Sequence, residues 1–536
     1  MKRRDFLGRY APGSLMVSMA PELLAKSERD HGSQDPTNSW DRGRVLHILP
    51  TVSATELLVK ASFDRALLSA PVLHVGGSKV EGVMTDTQGE TWQFHAKGLK
   101  PATTYKLGLS QAASSSGRRL CEPWELATFP APDARPENVR VMFFTCAGGH
   151  DQMRFLPAAL RSRLLRRGLS FRPHAVVSNG DHVYWDQRTP GQLPTLPRRI
   201  EIAGRFDRSA AMLGTSNELV LKRAAGPQIV PVYSTDFRST PVFFVQDDHD
   251  YFDNDDWLDG LVTFPPDQFM SQAARATQAM YYPEFLPDST RPSGMAGAVA
   301  NGRPLPYSES FGTLRYGRLL EVLLYTIRRT MTLAGPDAVY LDEIVESWLT
   351  NRMAARDVAH VVNAPSNPPG WTAGKWGEWY PDVLGADGQL TLDVPKRNWQ
   401  SGWLKQHDRL LAAMSDMRER IPLVISGDLH ATAMGSITRT GKLDLSRNPV
   451  QAVLPGTVGT SPMGWPSRRR KTGAKPSLHL SMSEGIAPIE EHGFTLADYT
   501  PDRVVLRFFK WNVNSDSPEA LDRLEPFKTV ELQRPS

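Results

Sequence analysis

The stretch Val242-Phe-Phe-Val-Gln-Asp-Asp-His-Asp-Tyr-Phe-Asp-Asn-Asp-Asp256 joins a short apolar run to a concentration of acid. Val242 to Val245 reads as a fully buried strand, and it stops in Asp247, Asp248, His249 and Asp250. The end of a buried strand cannot hold three carboxylates beside an imidazole unless something positive sits among them, because unpaired buried charge is too costly. A metal ion with oxygen and nitrogen ligands meets that need. Alone, such a run would be a solvated acidic loop. What separates the two readings is whether other strands of the chain end in the same way.

Three do. Val139-Arg-Val-Met-Phe-Phe runs into Thr145 and Cys146, with Gly-Gly-His150 just beyond. His174-Ala-Val-Val-Ser-Asn runs into Gly180-Asp181-His182-Val-Tyr184, and Pro422-Leu-Val-Ile-Ser into Gly427-Asp428-Leu-His430. A fifth apolar run, His360-Val-Val, leads to Asn363 and Pro365. Between the first two strands, Met153 to Arg167 carries Phe155, Leu156, Ala159, Leu160, Leu164 and Leu165 at helical spacing. A strand-helix-strand unit of this kind favours parallel strands with a right-handed crossover. In open α/β sheets ligands bind beyond the carboxyl ends of the strands, where a rigid sheet fixes their positions.

The candidate set is therefore Cys146, Asp181 with Tyr184, Asp248 with His249, and Asp428 with His430. Singly, Cys146 would be a small buried hydrophobe and Tyr184 an ordinary half-buried aromatic; beside three other ligand-bearing strand ends, Cys146 reads as a ligand. Carboxylates favour hard cations, imidazole suits zinc or iron, and a thiolate adds a softer preference. With Asp181 as a bridge, the set suits two ions about 3.5–4 Å apart, which clamp the attacking and leaving oxygens of an in-line displacement. His249, next to a ligand, is placed to protonate a leaving oxygen or orient a phosphate. His150 and His182 read as rim or supporting residues, and Asp186 as a hydrogen-bond partner of a ligand. Asp253, Asp255 and Asp256 read as a solvated loop.

The rest of the chain bounds this reading. Its 536 residues imply two domains or more, and 40% hydrophobic with 22% charged residues is ordinary for a globular protein. The formal charge of +4 comes with scattered Lys and Arg, so no nucleic-acid-binding motif stands out. No uninterrupted apolar span is long enough for a transmembrane helix. Two cysteines, Cys121 and Cys146, exclude a disulfide scaffold while permitting one bridge. The opening Met1-Lys-Arg-Arg-Asp-Phe-Leu resembles a twin-arginine export signal, with a polar linker from Ser27 to Asn38. There is no Gly-x-Ser-x-Gly elbow, His-Glu-x-x-His helix or Gly-x-x-x-x-Gly-Lys loop. Cys121-Glu-Pro-Trp-Glu125 starts like a sulfatase motif but has Glu125 where an Arg is required.

From Arg44 to about Pro130 the pattern changes to short alternating runs, among them Leu57 to Phe63, Val72 to Val75, Thr91 to Ala96 and Trp124 to Phe129. Tyr105, just after Leu99-Lys-Pro101, resembles the tyrosine corner of a fibronectin-type-III sandwich, whose hydroxyl caps a nearby backbone group.

At the strand-end residues the sequence resembles the calcineurin-like metallophosphoesterases, and more narrowly the PhoD-like alkaline phosphatase family. Gly180-Asp181 matches the superfamily's Gly-Asp motif. Asp247-Asp248-His249-Asp250 looks like the PhoD variant of its Gly-Asn-His-Asp/Glu motif, with Asp248 in place of the Asn ligand. Gly427-Asp428-Leu-His430 looks like the variant of the late Gly-His-x-His motif, with Asp428 replacing the first His. The resemblance implies that Cys146 and Tyr184 bind a ferric iron and that calcium occupies the carboxylate-rich half. It also implies a helix over Asn398 to Met417 and a Trp-rich loop over Trp371 to Pro381. Tyr325 departs from the pattern, which has an Asp before its Arg in this neighbourhood, and Asp250 stands for the commoner Glu. Arg328 and Asn363 are the candidate phosphate contacts.

The expectation is thus an α/β protein of three parts. Residues 1–38 form the export signal and linker, 39–133 a fibronectin-III-like β-sandwich, and 134–536 a four-layer α/β/β/α metallophosphoesterase domain. The implied activity is phosphoester hydrolysis by a metal-activated hydroxide at a two-metal site holding Fe3+ and Ca2+, in the periplasm or outside the cell. A phosphodiesterase or phospholipase-D-like enzyme, and a non-catalytic metal-stabilised surface protein, are the alternatives.

Overall fold

The computed structural model describes residues 40–111, 118–153, 155–185, 201–252, 265–291, 311–332, 335–372, 401–460, 465, 467, 473–477 and 479–535. The expected signal and linker, the run Asp253 to Asp256, Asp186 and the Trp-rich loop beyond Thr372 lie outside them. No described helix is long and apolar enough to cross a membrane.

The amino-terminal part is all β. Its strands are β1 (Val45–Val52), β2 (Leu57–Phe63), β3 (Pro71–Val75), β4 (Ser78–Glu81), β5 (Val83–Met84), β6 (Thr91–Ala96), β7 (Thr104–Gln111) and β8 (Trp124–Ala127). They form two antiparallel sheets, ordered β1-β2-β6-β5 and β4-β3-β7-β8. Alternation puts Leu73 and Val75 of β3, Leu107 and Leu109 of β7, and Trp124 and Leu126 of β8 inside. The Tyr105 hydroxyl accepts a hydrogen bond from the Lys100 backbone N–H at 2.7 Å, pinning the start of β7 to the turn before it.

The remainder supplies β9 (Val139–Thr145), α1 (Ala158–Ser170), β10 (Ala175–Asn179), α2 (Ser216–Tyr233), β11 (Val242–Val245), α3 (Gln268–Tyr281), β12 (Phe311–Tyr316), β13 (Leu320–Tyr325) and α4 (Glu343–Ala354). Then come β14 (His360–Pro365), β15 (Trp371–Thr372), α5 (Ser401–Ser415), β16 (Leu423–Ile425), β17 (Thr432–Thr440), β18 (Leu443–Asp444), β19 (Val450–Pro455), β20 (Lys475–Pro476), β21 (Leu480–Ile489), β22 (His492–Thr500), β23 (Arg503–Trp511) and β24 (Lys528–Gln533). Side-chain caps begin three of the helices: Thr215 accepts from Asn217 N–H, Asp267 from Met270 N–H, and Asp342 from Ile344 N–H.

These elements make two larger sheets. The first runs β11-β10-β9-β22-β23-β24, with β9, β10 and β11 parallel. The second runs β12-β13-β14-β16-β19-β17-β18 with β21 beside β17, and β13, β14, β16 and β19 are parallel. Each sheet has its own apolar core. Met142, Phe144, Val176 and Phe244 of the first pack with Leu164, Leu221, Ile229 and Met280 of α1, α2 and α3. Leu323, Val361, Val424 and Ala452 of the second pack with Trp348, Leu349, Trp403 and Leu411 of α4 and α5.

The strand ends that carry the candidate ligands are therefore divided between sheets: β9, β10 and β11 belong to one, β16 to the other. Asn179, the last residue of β10, joins them by donating its Nδ2 hydrogens to the carbonyls of Pro365 (2.9 Å) and Ile425 (3.3 Å). The amino-terminal sheets dock on the first helical layer through β2, which is buried along its whole length. Lys60 on β2 lies 3.0 Å from Glu284, both almost fully buried, and donates to the Ala279 carbonyl at the end of α3.

Candidate functional site

Three of the residues at these strand ends have left-handed backbones: Cys146 (φ 52°), Asp181 (φ 53°) and Asp428 (φ 66°). A residue with a Cβ enters that region at a cost of about 1 kcal/mol or more, so such positions persist only where the surrounding structure over-determines them. Here it does. Cys146 N–H donates to Gly180 O, Gly148 N–H to Asp181 O, and Gly459 N–H to Cys146 O. The glycine of each Gly-Asp pair has a steric reason. A Cβ on Gly180 would lie 2.9 Å from Asp247 Cβ, and one on Gly427 would lie 2.3 Å from the Asn179 carbonyl oxygen.

The turn brings a thiol, a carboxylate, a phenol and an imidazole to one point. Cys146 Sγ lies 3.2 Å from Asp181 Oδ2, and the Tyr184 hydroxyl lies 2.9 Å from the same oxygen. That hydroxyl is also 2.9 Å from His430 Nε2, while the Thr460 hydroxyl is 2.8 Å from His430 Nδ1 and so orients the ring. Burial, then Asp248, Asp247 and Asp428, pushes the Asp181 carboxyl well above the usual carboxylate range. Burial and then Asp181 push up both the Cys146 thiol and the Tyr184 phenol. Asp181 Oδ1 is buried with no hydrogen-bond donor among the described residues. Acids that suppress one another's ionisation around an unsatisfied oxygen lack a cation. The donor set fits one ion with mixed hard and soft ligands.

Next to it is a carboxylate-rich half. Oxygens of Asp247, Asp248 and Asp428 lie within 4.8 Å of one another, as do ligand atoms of Asp181, Asp248 and His249. Here a cation is already present: Arg328 Nε lies 3.0 Å from Asp247 Oδ1 and its Nη2 3.2 Å from Asp428 Oδ2. Asn367 Nδ2 donates to that same Asp428 oxygen at 3.0 Å. Burial raises the Asp247 carboxyl although Arg328 opposes it. Asp250 organises the turn, accepting from the backbone N–H groups of His182 (3.0 Å), Val183 (3.1 Å) and Asp247 (2.9 Å), and burial pushes its carboxyl up to about 7. His249 is only half-buried, with its ring centroid 4.2 Å from that of Tyr184, so it sits toward the open side.

The structure thus brings together Cys146, Asp181, Tyr184, Asp248, His249, Asp428, His430 and Arg328. It does not bring Asn363 there. That residue is buried within β14, with Nδ2 against Met353 Sδ on α4 and Oδ1 3.5 Å from the Tyr325 hydroxyl. Strand alternation turns it to the helix side, and Asn367, beyond the strand end, reaches Asp428 instead. His182 is not at a rim but fully buried, its Nε2 2.9 Å from the Val245 carbonyl. Cys121 and Cys146 are not joined by a disulfide. Sequence reading also passed over Gln228 of α2, whose Oε1 accepts from the Gly149 and Tyr184 N–H groups and so ties the two loops together. A Gln in an apolar helical run was the available signal.

No family model matches the chain, and no curated protein sequence matches it. Among solved structures, PhoD aligns over 91% of this chain and 90% of its own length, with a TM-score of 0.59 at 13% identity. The chain has the fold of PhoD. It is similar also to the purple acid phosphatase PPD1 from yellow lupin (Lupinus luteus) seeds, over 92% of this chain and 75% of that one, with a TM-score of 0.53 at 13% identity.

Proposed function

We propose that this chain is a metal-dependent hydrolase of phosphoesters. The observation that carries the reading is the convergence of Cys146, Asp181, Tyr184 and His430 at strand ends drawn from two sheets, in a chain with the fold of PhoD. Those four residues would hold an ion. When bound, it supplies Lewis-acid polarisation of a phosphoryl oxygen and lowers the pKa of a water ligand. His249, half-buried beside them, orients the phosphoryl group and delivers a proton to the leaving oxygen. Asp250 keeps the Asp181–Tyr184 loop in register with the Asp247 turn, and Gln228 ties that loop to the Gly149 loop.

The finer parts of the reading rest on the motif resemblance. They are ferric iron on the Cys146 side, calcium in the carboxylate half, a fibronectin-III-like sandwich over 39–133, a four-layer domain over 134–536, and twin-arginine export to the periplasm or beyond. The two antiparallel amino-terminal sheets and the Tyr105 hydrogen bond support the sandwich. The helices packed on each of the two larger sheets support the layering.

The test combines metal analysis of the purified chain with assays on a phosphomonoester and a phosphodiester analogue. Turnover that His249→Ala lowers by about 10²–10⁴ with metal content unchanged supports the reading. Bound metal with no turnover on either analogue overturns it in favour of a metal-stabilised binding protein.

A further inference from the structure

The segment that follows β9 carries Cys146, and its shape is imposed from outside. Cys146 N–H donates to Gly180 O and Gly148 N–H to Asp181 O, while Cys146 O accepts from Gly459 N–H. Gly149 N–H donates to Gln228 Oε1. The carbonyls of Ala147 and Gly149 both go to one side chain: Arg161 Nη1 donates to Ala147 O at 2.7 Å and Nη2 to Gly149 O at 2.6 Å. Cys146 stands at φ 52°, against its own backbone preference, so these partners are what hold it there.

Arg161 lies near the amino-terminal end of α1 and is fully buried. Neither fact favours the helix. A cation there meets the positive end of the helix macrodipole, and a buried guanidinium gives up its hydration whatever it pairs with. Asp151 offsets part of that cost, 3.0 Å from Nη2, and its carboxylate also accepts the Ala158 N–H that opens α1. Yet the Asp151 side chain is about half exposed, and an ion pair with it does not require a buried arginine. What burial secures is reach. The planar fork fixes two carbonyls at once, which an ammonium on a flexible stem does not. The passage is also narrow: a Cβ on Gly459 would lie 2.9 Å from Arg161 Cδ and 2.6 Å from Gly148 O. The residue that holds Cys146 O is therefore glycine where the arginine passes.

We infer that Arg161 is a positioning residue for the ion on the Cys146 side. By fixing the Ala147 and Gly149 carbonyls it sets where Cys146 Sγ stands relative to Asp181 Oδ2, now 3.2 Å away. The inference deepens the phosphoesterase reading and rests on its assignment of Cys146 as a ligand. Loss of Arg161 frees the segment after β9, whereas Asp181, Tyr184 and His430 belong to the β10 and β16 ends. The sulfur therefore parts from the other three ligands. Residues that orient a metal ligand are typically worth about 10–100-fold in metal affinity.

The experiment loads the metal-stripped full chain with Co2+, whose bond to a thiolate gives a charge-transfer band in the near ultraviolet, and reads the band together with the dissociation constant. The wild type is expected to show the band and Cys146→Ser to lack it. Arg161→Met is expected to bind Co2+ about 10–100-fold more weakly, with a reduced band at saturation and the circular dichroism of the wild type. Should Arg161→Met not fold, Arg161→Lys, which keeps the charge without the fork, is expected to show the same reduced band. Asp151→Asn removes the counter-charge and leaves both carbonyl bonds, so it is expected to melt at a lower temperature with band and affinity unchanged. A full band and wild-type affinity in a folded Arg161 variant, or an equal loss of the band in Asp151→Asn, would overturn the inference and leave the phosphoesterase reading standing. Co2+ held by the wild type without the band would remove Cys146 from the ligand set and the inference with it. No ion in the wild type would overturn both.

Discussion

The Tyr184 hydroxyl lies 2.9 Å from His430 Nε2, joining the loop after β10 in one sheet to the loop after β16 in the other. The phenol packs against Phe155, with ring centroids 4.9 Å apart, so Tyr184→Phe keeps its apolar contacts and loses only the oxygen. With ferric iron bound, the wild type is expected to show a tyrosinate charge-transfer band in visible absorption, and Tyr184→Phe to lack it while retaining the wild-type circular dichroism. A band that survives the substitution would remove Tyr184 from the ligand set.

Asp250 accepts three buried backbone N–H groups, two from the Asp181–Tyr184 loop and one from Asp247. In Asp250→Ala all three lose their acceptor, and each buried unsatisfied donor costs about 1–3 kcal/mol. The variant is expected to be about 3 kcal/mol or more less stable in denaturant titration, a shift in midpoint that a surface Asp→Ala would not produce.

Lys60 and Glu284 form an almost fully buried ion pair between β2 and the segment following α3. Lys60→Met leaves Glu284 charged and without its ammonium partner, which for a buried pair costs about 3–5 kcal/mol. Adding Glu284→Gln is expected to recover most of that loss, because the remaining buried charge is then gone. Thermal melts of the two variants make the comparison, and additive losses would count against an energetic coupling of the two side chains.

Acid is expected to weaken the fold well above the carboxylate range. Burial, chiefly, lowers His47 to about 4, with Lys60 adding to the effect. Burial lowers His360 to about 4, with Arg534 and Arg420 in the same direction, and His492 to about 3, with Arg161 adding. His360 Nε2 is 2.6 Å from the Thr500 carbonyl and donates to it, so the ring is held as the neutral tautomer with its proton there. Below an unfolded value of 6.5 the unfolded chain takes up protons at these sites while the folded chain does not, so stability falls with pH from about 6.5 to about 4. Each imidazole contributes on the order of 3 kcal/mol to that loss. His360→Gln, which keeps a donor for Thr500, is expected to flatten the dependence of the melting temperature on pH over this window.

The sequence by itself determined where the chemistry lies along the chain. Val139–Phe144, His174–Asn179, Val242–Val245 and Pro422–Ser426 are apolar runs that end in acid, thiol or imidazole, and both the burial of a strand and the cost of charge at its end are local properties. It also marked Tyr105, because a turn and its capping hydroxyl lie within six residues of each other. The tertiary structure alone decided which of these ends face one another. β9, β10 and β11 fall in one sheet and β16 in another, a division that depends on pairing between segments hundreds of residues apart. It put Asn367 at Asp428 and turned Asn363 toward Met353, because the direction of a side chain at a strand end depends on register and on where the loop departs. And it placed Arg328 between Asp247 and Asp428, giving these two carboxylates a positive partner from within the chain, since a buried charge is answered by whatever the fold brings near.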